Sequence, residues 1–243
     1  MPPAATVDDL TEPTLNASVC NLLRADIVAC RLMPNERLRL EALRERYGVG
    51  GSPVREALMR LQGEGLVELE QHKGFRVSAV SRERLLDLMR TRIEIEGLAL
   101  RWSIEHGGVE WEADLLGAFH RLANRHKTAS HDGTIDADWS REHRAFHTAL
   151  VAACGSPTLL GIRENLFDRT TRYVALSILS RTTPRNDAAE HEQIMRAALN
   201  RDAARAVALT GEHIERTMAR VMKSLGERSA ETPPQRANGR GAR

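Results

Sequence analysis

The sequence predicts a mainly α-helical protein of two parts, in which a short N-terminal segment of mixed elements precedes an all-α bundle of six helices. Three observations lead to this prediction. Between residues 33 and 80, two short helical patterns are followed by alternating apolar and polar residues, the pattern of a β-hairpin. From Ser81 onward the apolar residues keep a helical spacing, and strand patterns vanish. The 243 residues suffice for two compact domains.

The first short helix is predicted over residues 40–47. Leu40, Leu43 and Tyr47 fall on one face of such a helix, which would pack inward. Gly48 follows at the place where helices commonly end with a left-handed residue, a conformation that glycine adopts without steric cost. The second helix therefore begins only a few residues later.

The second short helix is predicted to have Ser52 as its N-cap and Pro53 at its first position. It would end at Gly63 and Gly65. Its buried stripe consists of apolar residues, namely Val54, Ala57, Leu58 and Leu61. This leaves an outward face of Ser52, Arg55, Met59 and Gln62.

A hairpin follows, with strands at residues 66–70 and 75–80 and a turn at residues 71–74. His72, Lys73 and Arg76 then lie at or near its tip. Two helices joined by a tight turn place the second helix in the DNA major groove, and the hairpin forms a wing beside it, giving a winged helix-turn-helix. The predicted DNA contacts are Arg44, Ser52, Arg55, Met59, His72, Lys73 and Gly74. The alternative for Arg55 is a simple surface pairing with Glu56 or Glu64.

Overall charge says little about partners, because the formal net charge is only +2. Basic residues are nevertheless concentrated in the first third of the chain, where a DNA backbone could be met. These are Arg24, Arg31, Arg37, Arg39, Arg44, Arg46, Arg55, Arg60, Lys73 and Arg76.

The three cysteines, Cys20, Cys30 and Cys154, show no C-x-x-C spacing, so neither a disulfide framework nor a cysteine zinc site is predicted. No apolar run approaches the roughly 20 residues of a membrane span, and a signal peptide pattern is absent. We therefore expect a cytoplasmic protein without a membrane partner. Residues 1–13 and 226–243 are polar and rich in proline or glycine, so we expect disordered ends around domains at residues 14–80 and 81–225.

Six helices are predicted after the hairpin. Ser81 would cap the first, which carries Arg92 and Glu96. Asp187 and Glu190 have the spacing of a capping box for the fifth. The remaining helices are expected at about residues 109–127, 134–153, 157–180 and 202–225.

Four histidines in this helical part are expected to face inward together. His143 and His147 are four residues apart, so they project from one face of the third helix. His191 begins the apolar stripe of the fifth helix, and His213 lies beside that of the last. Neutral imidazoles on facing helices suit zinc, nickel, iron or copper. A purely structural role is the alternative, and we expect it for His106, His120, His126 and His131.

The N-terminal residues resemble a known family. The segments P-N-E-R-L, G-V-G-G-S-P-V-R-E-A-L-M-R-L-Q-G-E-G-L-V and K-G-F-R-V are similar to the winged helix-turn-helix of GntR-family transcriptional regulators, over about residues 15–80. One residue departs from the family pattern. Gly51 stands where an arginine or a similar polar residue usually precedes S/T-P-V-R.

The C-terminal part, about residues 81–225, resembles the FCD ligand-binding domain of the FadR branch, and its six helices resemble the VanR-type subgroup. The matching segments are H-R-A-F-H-T-A-L from His143, E-H-E-Q-I-M-R-A-A-L-N-R-D-A-A-R-A from Glu190, and His213. In metal-binding members one Asp and three His hold the ion. His143 stands at the Asp position, which favours zinc or nickel over manganese.

The resemblance also implies partners. It implies a homodimer that binds a pseudo-palindromic DNA operator as a repressor and is released by a small carboxylate effector near the metal. Arg92, within an R-x-x-x-E pattern with Glu96, and Arg172 are the implied effector contacts. The alternative for Arg92 is a salt bridge to Glu96.

Other readings of the whole chain are a metal-sensing or metal-independent regulator of the same fold, a metalloenzyme built on the histidines, and a protein-binding winged-helix adaptor. We expect no enzyme, because no carboxylate or other base has catalytic spacing.

Overall fold

The computed structural model describes residues 15–127, 136–178 and 187–231. Within these ranges the chain forms nine helices and three short strands. In order they are α1 (Leu15–Val28), β1 (Arg37–Leu38), α2 (Leu40–Tyr47), α3 (Gly51–Gly63), β2 (Val67–Glu70), β3 (Gly74–Val77), α4 (Arg82–His106), α5 (Val109–Ala123), α6 (Ala137–Val151), α7 (Pro157–Ile178), α8 (Ala188–Leu199) and α9 (Ala203–Glu231). The predicted fold class, a small mixed N-terminal segment followed by six helices, is confirmed.

Helix α1 packs against α3, and residues of both helices form the core of the N-terminal segment. Leu23 and Ile27 of α1 and Leu58 and Leu61 of α3 are completely or almost completely buried there. Burying four such side chains supplies roughly 1.5–3 kcal/mol each. The sequence prediction began with α2 and did not include α1.

The two predicted strands form the hairpin of β2 and β3, and a third strand that was not predicted, β1, extends the sheet. The strand order is β1, β3, β2, with both pairs antiparallel. Leu38 of β1 lies opposite Phe75 of β3, and both side chains are buried. A two-residue strand such as β1 is too short to show an alternating pattern, so it forms only because β3 offers a free edge.

Two of the predicted helix ends are confirmed. Gly48 has φ 65° and lies in the left-handed region directly after α2. Ser81 precedes α4, and its Oγ accepts a hydrogen bond from the backbone N–H of Arg84 at 3.2 Å. These two residues satisfy backbone groups that a helix end leaves without partners.

Two predicted caps were wrong. Helix α3 begins at Gly51 with Gly50 as its N-cap, and the Ser52 hydroxyl donates instead to Glu56 Oε1 at 3.0 Å. The side chain of Asp187 makes no cap hydrogen bond to α8, because it pairs with Lys127. Local spacing predicts both caps, but in the structure the Ser52 side chain binds Glu56 and the Asp187 side chain binds Lys127.

The long helices differ from prediction mainly at their C-terminal ends. Helix α5 ends at Ala123 instead of residue 127, whereas α9 continues to Glu231, six residues past the predicted end at Leu225. Residues 226–231 are therefore helical and not part of a disordered tail. The predictions for residues 1–13, 134–135, 179–180 and 232–243 lie outside the described residues.

The contacts of the chain divide it into two compact units. One contains Met1–Ile95 and Ser156–Leu176, and the other contains Glu96–Gly155 and Ser177–Arg243. Helices α4 and α7 each contribute residues to both units. In the second unit Leu100, Leu115, Phe146, Leu150 and Ile194 are buried around the paired helices α5 with α6 and α8 with α9. Over the described ranges, no helix is both long and apolar enough to cross a membrane.

Candidate functional site

Helix α3 presents one face to the core and the other to solvent, as predicted. Val54, Ala57, Leu58 and Leu61 are buried. Ser52, Arg55, Met59 and Gln62 are all exposed. Because α1 and α2 both pack against α3, the helix is held with this polar face outward. The surface has the form of a recognition helix that can enter a major groove.

Arg55 lies exposed in the N-terminal half of α3. The alternative pairing with Glu64 is not present, because the Glu64 carboxylate accepts two hydrogen bonds from Arg24, at 2.7 and 3.0 Å. In residues 15–127, 136–178 and 187–231, no ion pair involves Arg55. Its guanidinium is thus available for the base or phosphate contacts that arginine makes in DNA complexes.

The other predicted DNA contacts are also exposed. At the tip of the wing, His72 and Gly74 have φ values of 60° and 80°, which turn the chain sharply between β2 and β3. Lys73 projects between them and is exposed. Arg44 on α2 is exposed as well, but it pairs with Glu41 at 2.9 Å. Such an exposed pair is weak, so it can exchange for a phosphate contact.

Gly51, the residue that departs from the family pattern, forms the first residue of α3. Its backbone is not in the left-handed region, and a Cβ atom there would lie 3.7 Å from Arg44 Cδ, an ordinary contact distance. A side chain would therefore fit at this position. Glycine is not required by the fold, and its effect is to leave a space beside Arg44 on the exposed face.

The four predicted histidines converge in the second compact unit. His143, His147, His191 and His213 each offer a ring nitrogen, and these four atoms lie within 4.8 Å of one another. His143 Nε2 and His147 Nε2 are 3.1 Å apart. His147, His191 and His213 are only 2%, 1% and 5% exposed, whereas His143 is partly open to solvent. We call these residues the histidine cluster.

Two acidic side chains contact the outer nitrogens of the cluster. His213 Nδ1 lies 2.9 Å from Glu190 Oε2, and His191 Nδ1 lies 4.0 Å from Asp187 Oδ1. Glu190 is itself held by Arg216 at 3.2 Å. A carboxylate beside Nδ1 of His213 favours the tautomer that carries its proton there, which leaves Nε2 as the nitrogen with a free lone pair.

An aromatic ring covers the partly open side. The ring of Trp139 stacks on that of His143 with centroids 4.6 Å apart, and Lys127 Nζ lies 4.5 Å from the Trp139 ring centroid. Lys127 also pairs with Asp187. His143 is thus held between Trp139 on one side and the other histidines on the other. Of the remaining histidines, His106, His120 and His126 are exposed and lie outside the cluster, and His131 lies outside the described residues.

The two predicted effector contacts belong to the first compact unit. Arg92 is buried, its Nη1 donates to Thr170 Oγ1 at 2.6 Å, and its guanidinium lies 4.6 Å from the Phe167 ring centroid. Arg172 is also buried and donates from Nη2 to the Ala79 carbonyl oxygen at 3.4 Å. Their role in effector binding stays a prediction.

Comparison with known proteins identifies the chain. Residues 15–77 match the model of the bacterial regulatory proteins of the gntR family, and residues 87–216 match the FCD domain. The HTH-type transcriptional repressor GlaR of Escherichia coli strain K12 is 38% identical over 196 residues, which cover 79% of this chain and 89% of GlaR. The chain belongs to the GntR family, with an FCD domain.

Two further relatives agree with this assignment. The uncharacterized HTH-type transcriptional regulator BphR of Paraburkholderia xenovorans is 37% identical over 92% of this chain and 89% of its own. The solved structure of E. coli McbR/YncC superposes with a TM-score of 0.74 at 23% identity, covering 87% of this chain and 99% of that chain. The latter shows the shared fold. This GntR-family protein is a transcriptional regulator and not an enzyme, and regulators of this family bind DNA operators.

The sequence prediction found all four histidines of the cluster but missed Glu190 and Asp187 as their partners. Local spacing alone predicts a capping box for both residues. One feature of the sequence could have indicated this role. Glu190 directly precedes His191 and lies on the turn of α8 that faces α9. A contact between two residues that lie 23 positions apart, on different helices, is not visible in local spacing.

Proposed function

We propose that this GntR-family protein is a homodimeric repressor that leaves its operator when a small carboxylate binds at a divalent metal ion held by the histidine cluster. The observation that carries the proposal is the convergence of four mostly buried imidazoles from α6, α8 and α9 in the FCD part of a DNA-binding regulator. The name of GlaR, a transcriptional repressor, supports the direction of control.

The chemistry of the cluster fits a metal ion of borderline softness. A zinc–nitrogen bond of about 2.0–2.1 Å sets neighbouring ligand nitrogens about 3.3 Å apart in a tetrahedral site. The distance of 3.1 Å between the Nε2 atoms of His143 and His147 is close to this value. Four neutral nitrogens without a carboxylate favour zinc, nickel or copper over manganese, and zinc or nickel is our choice.

His143, His147, His191 and His213 would hold the ion, and Glu190 would keep the ring of His213 in the tautomer that binds it. When bound, the ion supplies a positive charge that a carboxylate can coordinate. We therefore propose a small organic acid, such as lactate, gluconate, citrate or an aromatic acid, as the effector class.

Repression and release follow from the thermodynamic linkage between effector binding and DNA binding. A homodimer places two α3 helices on the two halves of a pseudo-palindromic operator, with half-sites about 34 Å apart. An acid that binds one dimer geometry better than the other changes DNA affinity by that difference alone. A metal-sensing regulator is the nearest alternative, in which the ion by itself changes DNA affinity.

DNA recognition by α3 is tested by replacing Arg55. We expect Arg55→Ala to weaken binding to the promoter of its own gene by about 1–3 kcal/mol, roughly 5- to 150-fold, because a base or phosphate contact is removed. Arg196→Ala, on the exposed face of α8, is the control and should leave affinity unchanged. In the same fluorescence-anisotropy titrations, Gly51→Arg should bind more tightly, with a steeper salt dependence. Equal affinity of wild type and Arg55→Ala would remove Arg55 from the reading surface.

The metal ion is tested by elemental analysis of protein purified without a tag and without chelator. We expect about one zinc or nickel ion per chain in the wild type and a large loss in His147→Ala. A metal content far below one ion per wild-type chain would contradict the metal site. His147→Ala should keep its DNA affinity without effector, and loss of that affinity would point to a structural role for the cluster.

A further inference from the structure

We propose that Arg172 forms the base of a second ligand site, which binds one oxyanion group, a carboxylate or a phosphate, against the segment that joins the wing to α4. This site lies wholly in the first compact unit and contains no histidine. It differs from the effector contact at the metal ion that the family resemblance implies for Arg172, because it requires neither the metal ion nor DNA.

The guanidinium of Arg172 is buried with most of its donors unused. Arg172 as a whole is only 4% exposed to solvent. Among the residues that the structure describes, Nε and Nη1 have no hydrogen-bond partner, and Nη2 has one long bond of 3.4 Å to the Ala79 carbonyl oxygen. Arginine carries five N–H donors and stays protonated in proteins, so three donors on a charged group lack an acceptor.

The surroundings increase the need for an anion. Burial lowers the pKa of the Arg172 guanidinium from its ordinary value and outweighs the opposite effects of Tyr173 and Cys30, while the charges of Arg169 and Arg84 add to the lowering. Glu68, an acid of the adjoining β2, pairs with Arg84 at 2.8 Å. A buried charge without a partner is among the more expensive features of a folded protein, so an occupant with negative charge is strongly favoured.

A second buried donor lies one residue from the contact of Arg172. Ser78 is 3% exposed, and its hydroxyl has no partner within the described residues. The next residue, Ala79, accepts hydrogen bonds through its carbonyl oxygen from both Arg172 and Arg84, the latter at 3.3 Å. An oxyanion provides the acceptors that both the guanidinium and the hydroxyl lack, which a hydrocarbon cannot do.

Two contacts hold the chain around Arg172 in place. The sulfur of Cys30 lies 3.5 Å from the Arg172 carbonyl oxygen, and the Tyr173 hydroxyl lies 3.5 Å from the backbone nitrogen of Ser81. These contacts hold α7 against the end of α1 and against residues 78–81. Guanidinium groups bind carboxylate and phosphate oxygens in pairs, whereas a spherical chloride ion uses one donor direction at a time.

Thermal unfolding of the metal-stripped full chain tests the site. In HEPES buffer at constant ionic strength, sodium acetate and sodium phosphate are each compared with sodium chloride. We expect at least one of the two oxyanions to raise the melting temperature of the wild type by about 2–4 °C, the shift that accompanies roughly 1 kcal/mol of ligand stabilisation in a chain of this size. The anion that acts identifies the carboxylate or the phosphate as the bound group.

Arg172→Met separates specific binding from the general stabilisation by salts. This variant should not gain the extra oxyanion shift, and in chloride it should melt no lower than the wild type, because an unpaired buried charge is removed. Arg24→Met is the matched control. It removes an arginine that pairs with Glu64 at 2.7 Å and should lower the melting temperature in every buffer.

Three results would overturn the proposal. One is an equal oxyanion shift in wild type and Arg172→Met. Another is a clearly lower melting temperature of both Arg172→Met and Arg172→Gln in chloride, which would mean that water or the protein already satisfies the guanidinium. The third is isothermal titration of the metal-free wild type that gives no heat with either acetate or phosphate.

Discussion

At the scale of single residues, Glu190 does more for the histidine cluster than its position at the start of α8 suggests. One carboxylate oxygen lies 2.9 Å from His213 Nδ1, and the other lies 3.2 Å from Arg216 Nη1. The arginine fixes the carboxylate, and the carboxylate fixes the imidazole. Partners of this kind increase the affinity of a histidine for a metal ion, because they hold its ring in position and raise its basicity.

Replacing Glu190 by Gln therefore tests the orientation of His213. We expect Glu190→Gln to weaken zinc binding by about 10- to 100-fold, because the amide is a poorer acceptor for the His213 N–H and loses the pairing with Arg216. Competition with a chelator of known zinc affinity gives the measurement. Glu192→Gln is the control, since Glu192 lies on the exposed side of α8 and pairs with Arg196 at 2.6 Å. Equal zinc affinities for the two variants would show that Glu190 does not support the site.

At the scale of the elements, Asp26 joins α1 to α2, the helix that precedes the recognition helix α3. Its carboxylate accepts a hydrogen bond from the Tyr47 hydroxyl at 2.7 Å and pairs with Arg31 at 2.6 Å and Arg46 at 2.7 Å. Burial alone would raise the pKa of Asp26, but the hydrogen bonds from Tyr47 and Arg31 and the two positive charges outweigh it and hold the pKa below its usual value.

A lowered pKa makes the stability depend on pH in a defined direction. The contribution of Asp26 is complete above its unfolded-state pKa of about 3.9 and is lost as the pH falls through the lower pKa of the folded protein. Asp26→Asn should cost about 1–3 kcal/mol of unfolding free energy at pH 7 and much less near pH 3. Urea unfolding at both pH values gives the measurement. Asp87→Asn, at an exposed position of α4, should have little effect at either pH, and a pH-independent loss in Asp26→Asn would contradict the assignment.

The elements that could be predicted from sequence are those with a strong local signal. The buried stripe of α3, the left-handed Gly48 and the inward pair His143 and His147 all follow from spacing within one element. The rest depends on partners far away in the chain. The strand β1 needs the edge of β3, and the role of Glu190 needs α9. Contacts of this kind leave no periodic pattern in the sequence.

At the scale of the whole molecule, the chain combines a DNA-reading segment with a helical part that carries the histidine cluster, and the family assignment explains why both occur together. In the proposed mechanism, a ligand changes DNA binding only by as much as its affinities for the two dimer geometries differ. Typical couplings of this kind are about 1–3 kcal/mol. If the proposal holds, ligand binding at the cluster and DNA binding at the α3 surface are coupled, and the coupling can be measured as a change in DNA affinity.

The most direct test of this account is the dissociation constant for promoter DNA, measured by fluorescence anisotropy with zinc-loaded protein in the absence and presence of lactate, gluconate, citrate or benzoate. We expect at least one acid to weaken DNA binding by about 5-fold or more in the wild type and to have no such effect in His147→Ala. Affinities that stay the same with every acid, or an equal acid effect in wild type and His147→Ala, would contradict the claim that the histidine cluster controls release from DNA.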